Sequence, residues 1–231
     1  MGSDIWGAFG AAAGLVSAGD AKLFAIVALS LQVSLIAVMV ASLVGLPLGA
    51  LIALVPFRGR GGAIVVLNAL MGLPPVVVGL IVYLLLSRAG PLGPLGLLFT
   101  PTAMVVAQAI LILPIVAALA RQIIEDSWSE YRELLRSLGA SPWQAARTLL
   151  WDTRFALVTV VLAGFGRAAA EVGAVMIVGG NIDGVTRTMT TAIALETSKG
   201  DMPLAMGLGI VLVGVILIVN AGAASLKRWA R

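Results

Sequence analysis

Cysteine and histidine are both absent from the 231 residues. The first absence excludes disulfides and thiol chemistry. The second removes the commonest general base and a favoured metal ligand. Charge is scarce: 11% of residues are Asp, Glu, Lys or Arg, against about 25% in an ordinary soluble domain. No Gly-x4-Gly-Lys-Ser/Thr phosphate loop occurs, and none of the lysines follows a glycine. ATP binding by that route is therefore excluded. Residues 1–19 lack a basic n-region and carry Asp4 instead, so no signal peptide is expected. A duplicated half, the mark of many secondary transporters, is not found.

What remains is mostly apolar. Hydrophobic residues make up 60% of the chain, and mean hydropathy is +1.08. Residues 23–57, 61–87, 89–120 and 202–226 carry no charge at all. A membrane helix needs about 20 such residues at about 1.5 Å rise each. The expected fold class is all-α: a polytopic helical membrane protein with five transmembrane helices.

The crossings are placed within 23–56, then at about 63–87, 101–121, 154–178 and 202–226. Gly45 and Pro47 are expected to bend the first, since proline removes a backbone donor and clashes with the preceding turn. Met71-Gly-Leu-Pro-Pro75 bends or breaks the second, either as a gate or as simple helix bending. The Gly/Pro-rich segment 89–96 is a turn. Residues 4–18 form a helix too short to span comfortably, expected along the outer interface. The domain division is 1–22 external, 23–226 transmembrane domain with a protruding loop at about 122–153, and 227–231 cytoplasmic tail.

Basic residues in short loops set orientation. One side carries Arg58, Arg60, Arg121, Arg132, Arg136, Arg147, Arg154, Lys227, Arg228 and Arg231; the other carries Lys22, Arg88, Arg187 and Lys199. The imbalance puts the Arg121–Arg154 island and the C-terminus in the cytoplasm and the N-terminus outside. The same loop charges account for the pI near 10.1, and no nucleic-acid partner is expected.

The island is short and amphipathic. Tyr131, Leu134, Leu135 and Leu138 fall at i, i+3, i+4 and i+7, one helix face. Glu133 and the arginines around it flank that face. Gly139 breaks the helix at a position that favours the left-handed conformation. Ala140 follows, then Ser141-Pro-Trp-Gln144 opens a second helix. Ser141 caps it, Pro142 suits its first turn, and Gln144 reaches back as in a capping box. Such a corner is either an ordinary interfacial loop or a handle for a soluble partner.

The spacing Glu133–x5–Gly139 in a loop between two crossings resembles the EAA loop of ABC-transporter permeases. Leu134 and Leu135 stand where that family usually has Ala-Ala, and Trp151-Asp152 replaces the usual Leu-Pro. Downstream, residues 166–201, from Gly166-Arg-Ala-Ala-Ala-Glu171 through Asn181-Ile-Asp-Gly and Thr186-Arg-Thr-Met-Thr-Thr191 to Asp201, resemble the membrane subunit of tungstate importers. Molybdate permeases are similar here but typically carry Gly-Glu-Phe-Gly-Ala-Thr, where this chain has Ala170-Glu-Val-Gly-Ala-Val175. The resemblance covers roughly 24–226. It implies a type I ABC importer with a coupling-helix loop: a homodimer of this chain, two cytoplasmic ABC ATPase subunits and an external solute-binding protein. ATP and magnesium would be used by the ATPase, with no cofactor or metal bound by this chain and no catalysis of its own. Tyr131, Glu133, Leu134, Leu135, Leu138, Gly139, Ala140 and Ser141 are the expected ATPase-coupling residues.

Arg167 and Glu171 lie i and i+4 within the fourth span. Charges at that depth usually face protein or water, often with a partner. Either they form a structural salt bridge, or Arg167 belongs to an anion route or outer gate. Asn181, Thr186, Arg187, Thr190 and Thr191 lie at an outer turn and the start of a short helix ending near Gly200. Hydroxyls, an arginine and helix-start amides suit an oxyanion; capping plus contact with a binding protein is the other reading. Small residues at Gly164, Gly166, Ala168–Ala170 and Gly173 allow close helix approach, for dimer packing or for solute. The competing functions are an importer permease for molybdate or another oxyanion, a secondary transporter that needs no ATPase, and an intramembrane enzyme. The last is disfavoured, since Glu171 is the single acidic residue placed within a span.

Overall fold

The computed structural model describes Gly14 and residues 21–229. The interfacial helix expected over 4–18, apart from Gly14, and the last two residues of the tail lie outside the described residues. Nine α-helices and one 3-10 turn occur among the described residues, with no strand. They are α1 (Ala21–Leu54), α2 (Arg60–Leu70), α3 (Pro75–Leu86), the 3-10 turn Gly93–Leu95, α4 (Pro101–Ser137), α5 (Pro142–Asp152), α6 (Arg154–Ala169), α7 (Gly173–Gly179), α8 (Met189–Lys199) and α9 (Met202–Trp229).

Two long helices form the spine. α1 has 34 residues and α4 has 37, about 51 and about 56 Å at the α-helical rise. Both exceed the roughly 30 Å hydrocarbon core. They lie side by side in the same direction. Val33 clusters with Met104 and Ala107, Ala37 and Ala41 with Ile112 and Val116, and Ala53 and Leu54 with Ile124. Gly49 marks the tightest approach: a Cβ there would lie 2.5 Å from the Ala117 carbonyl oxygen and 2.9 Å from the Arg121 nitrogen. Two parallel neighbours require the chain between them to return across the layer, and α2–α3 does so.

That return is broken. α2 and α3 meet at 97° across residues 71–74. Pro74 and Pro75 account for it: proline cannot donate to the preceding turn, and the residue before it is pushed out of the helical region. α2 packs on the middle of α4, with Leu67 against Ala117 and Ala118. α3 packs on the N-terminal part of α4, with Val78 and Val82 in one cluster with Ala103 and Met104 of α4 and Ala174 and Val175 of α7.

The fourth span is also broken, which corrects the continuous 154–178 crossing expected from sequence. α6 ends at Ala169, the chain unwinds over 170–172, and α7 resumes at Gly173. At 16 residues, α6 reaches only about 24 Å. Together α6 and α7 run antiparallel to α4: Gly164 faces Ile112, Ala168 meets Gln108, and Gly179 touches Met104. α1 is uninterrupted through Gly45 and Pro47. α9 continues helically to Trp229, past the point where a tail was expected.

By length and composition α1, α4 and residues 202–222 of α9 can each cross a membrane, and α2–α3 and α5–α6 are bent pairs that pass the same test. The outward faces of these helices are strongly apolar. Leu43 is 79% exposed and Ile218 is 73%. Lipid tolerates that surface; water does not.

Candidate functional site

The α4–α5 corner begins as an extension of the third span. α4 runs unbroken to Ser137, so the first arm of the island is the end of a spanning helix rather than a separate one. Gly139 adopts φ 69°, where a side chain would be strained. Its N–H donates to the Arg136 carbonyl at 3.0 Å, and that of Ala140 to the Leu135 carbonyl at 3.0 Å. This is a Schellman motif. Ser141 then starts α5 with a reciprocal cap. The Gln144 N–H donates to Ser141 Oγ at 3.3 Å, and the Ser141 N–H donates to Gln144 Oε1 at 2.8 Å. The turn chemistry expected from sequence is present at every one of these positions.

The apolar stripe divides. Leu135 turns inward with Ala145 and Leu149 of α5 and with Ala50, Ala53 and Leu54 of α1; Tyr131 and Ala140 pack on that cluster. Leu134 and Leu138 point out, 56% and 72% exposed, and Glu133 is exposed beside them. The single face expected from sequence is therefore corrected to an anchoring half and a presenting half. Inclination explains it: with 3.6 residues per turn, a four-residue stripe winds around the helix, and α1 covers only one edge. Trp143 and Trp151, not singled out from sequence, add to the presenting side at 75% and 71% exposed. Arg154 stacks on Trp151 and Phe155, its guanidinium carbon 4.8 and 4.5 Å from the ring centres.

The second candidate region is the α6–α7 break. Arg167 and Glu171 pair at 2.6 Å although they are not on one continuous helix. Glu171 is buried, its side chain 3% exposed, while Arg167 is 35% exposed. The other carboxylate oxygen of Glu171 accepts the Ala174 N–H at 3.0 Å, capping α7. Gln108 Nε2 of α4 donates to the Ala168 carbonyl at 3.0 Å, and the Thr190 hydroxyl donates to the Glu171 carbonyl at 2.7 Å. In hydrocarbon a freed backbone group costs several kcal/mol unless satisfied; Glu171 and Thr190 satisfy groups that the break frees, and Gln108 adds a second donor to the Ala168 carbonyl, which also accepts the Glu171 N–H at 3.1 Å. Gln108 was missed from sequence. Its signal was a lone amide inside the uncharged run 89–120.

The hydroxyls between α7 and α8 are similarly occupied. Thr186 is fully buried; its hydroxyl donates to the Gly179 carbonyl at 2.6 Å and accepts the Ile182 N–H at 2.9 Å. Thr188 and Thr191 cap the start of α8 reciprocally, and Ser30 of α1 accepts the Met189 N–H at 2.7 Å. Asn181 takes φ 49°, tolerated better by Asn than by most residues, and its amide donates to the Thr191 carbonyl at 3.4 Å. Arg187 pairs with Asp183 at 2.9 Å. The structure thus brings Glu171 and Thr190 into one polar knot with Arg167, while Thr186, Asn181 and Thr191 hold the segment between α7 and α8 and Arg187 lies at its rim.

Residues 45–231 match the family model described as the binding-protein-dependent transport system inner membrane component. A tungstate uptake system permease protein from Peptoclostridium acidaminophilum is 42% identical, over 95% of this chain and 96% of its own length. Another from Campylobacter jejuni is 45% identical over 71% and 68% of the two chains. A molybdenum transport system permease protein from Azotobacter vinelandii is 31% identical over 73% and 78%. With the helical membrane fold and these matches together, the chain belongs to the family of binding-protein-dependent transport system inner membrane components.

Proposed function

We propose that this chain is the membrane subunit of an ATP-driven importer for a tetrahedral oxyanion, tungstate first among the candidates. A second copy of the chain completes the path. A cytoplasmic ABC ATPase, using ATP and magnesium, grips the α4–α5 corner, and an external solute-binding protein delivers the anion. The similarity to tungstate uptake permeases, over 95% of the chain for one and 71% for the other, supports the substrate.

The observation that carries the mechanical part is the exposure of Leu134, Leu138 and Trp143 on a corner otherwise ringed by charge. Large apolar side chains on a polar protrusion fit a cleft in a soluble partner. The excess of basic residues on that side favours a cytoplasmic position. Force applied there enters α4 directly, because helix and corner are continuous.

Arg167 is the residue of the path that faces the anion in this reading. One of its N–H groups goes to Glu171, leaving donors of its five-donor fork for an oxyanion. Thr190 and Glu171 hold the break open beneath it; Asn181, Thr186, Thr191 and Arg187 shape the outer mouth.

Reconstitution with the cognate ATPase and binding protein tests the proposal. ATP-dependent tungstate uptake into liposomes is expected, with a molybdate arm to rank the anions. Arg167→Ala is expected to reduce uptake by about tenfold while leaving the complex assembled. Uptake without ATPase, or labelling of a Leu138→Cys corner from the outside, would overturn the reading.

A further inference from the structure

A cluster of charges between the spine helices has no part in the coupling or translocation sites. Arg60, the first residue of α2, folds back over the end of α1. Its Nε donates to the Ile52 carbonyl at 2.8 Å, and one terminal nitrogen donates to the Ala53 carbonyl at 3.2 Å. Those carbonyls belong to the last turn of α1 and have no intrahelical partner; a cation there also suits the negative end of the helix dipole. The same terminal nitrogen pairs with Glu125 of α4 at 2.8 Å. The other oxygen of Glu125 pairs with Arg121, one turn earlier on α4. One carboxylate is thus held between two arginines, joining three helices.

Its place in the fold gives this clasp a task. Just above it, Gly49 brings the backbones of α1 and α4 into contact. Just below it, Ala53 and Leu54 of α1 and Ile124 of α4 pack with Leu135, Ala145 and Leu149 of the corner. The end of α1, the lower third of α4 and α5 are therefore fastened at three levels. The first two are apolar and steric. The Arg60 level ties down the start of α2, whose Leu67 packs separately on Ile52, Ala117 and Ala118; α2 is the limb that leads to the 97° break.

We propose that Glu125 is a positioning residue that fastens the start of α2 and the end of α1 to the lever formed by α4, so that displacement of the corner reaches the broken α2–α3 limb. The transmission part of this inference rests on the ATP-driven reading above; the fastening part does not.

The absence of cysteine allows the fastening to be read by site-directed spin labels. Nitroxides at Phe57→Cys and Ser137→Cys, both exposed positions, span the α1–α2 connector and the corner. In the solubilised chain the distance distribution is expected to be narrow and to widen about twofold in Glu125→Gln and in Arg60→Ala. Residues acting as one unit are non-additive, so the double variant widens it no further. Arg60→Lys keeps a charge but loses the planar fork and recovers part of the narrowing. Unchanged widths in both single variants would overturn the fastening. In the reconstituted complex, Glu125→Gln is expected to lower tungstate moved per ATP by about 3- to 10-fold at normal ATPase recovery; an unchanged ratio would overturn the transmission. The widths are read without ATP or anion, so they judge the clasp even where the transport reading fails.

Discussion

At the α4–α5 corner, polar groups are satisfied by their immediate neighbours: Ser141 and Gln144 cap each other three residues apart. At the opposite end of the bundle, the hydroxyls reach across the chain. Thr186 bonds 7 residues away, Thr190 bonds 19 away, and Ser30 meets Met189 across 159. The first corner is a locally closed unit that protrudes and leaves Leu138 and Trp143 uncovered. The second is a knot whose members, apart from the partly exposed Arg167, are buried and depend on one another. A handle must keep its shape while presenting surface; a break inside a membrane must first satisfy its own backbone.

Substitutions can break or sharpen that contrast. The largest effect is expected at the knot. Glu171→Ala strands Arg167 and uncaps α7, which should cost about 3–5 kcal/mol and show as a lowered midpoint in thermal unfolding of the detergent-solubilised chain. Next is the presenting side of the corner. Leu138→Asp should leave that midpoint unchanged and weaken recovery of the ATPase by about 2–4 kcal/mol of binding, measured by co-purification titration. Leu135→Asp should fail differently, by destabilising the corner itself, because Leu135 is buried against α1. Thr186→Val keeps shape and strands the Gly179 carbonyl and Ile182 N–H, at about 1–3 kcal/mol. Smallest is Ser141→Ala, at about 1 kcal/mol of local helix stability, read as faster amide exchange at the start of α5. If Ser141→Ala unfolded the whole chain and Thr186→Val did nothing, the contrast between local and distributed corners would be wrong.

The corner was legible because its signals are local. Gly139, Ser141, Pro142 and Gln144 each act within one helical turn, and each was found in the expected role. Four of the crossings were legible from uncharged runs, since length and apolarity suffice there; the fourth carries Arg167 and Glu171 and was not. The division of Tyr131, Leu134, Leu135 and Leu138 was not, because nothing in their spacing says which edge α1 covers. The α6–α7 break was hidden for a related reason. Gly166 to Gly173 reads as small residues in a span, and the groups that make unwinding tolerable there come from Gln108 on α4 and Thr190 on α8.

Composition and pattern by themselves determined that this chain lives among lipid and where its protruding hinge turns, because burial of apolar length and helix-end chemistry are properties of short segments. Tertiary structure alone decided which leucines anchor and which present, where the fourth crossing comes apart, and that Arg60, Arg121 and Glu125 meet. Those outcomes depend on which distant backbone approaches which side chain, and the parallel packing of α1 on α4 sets that.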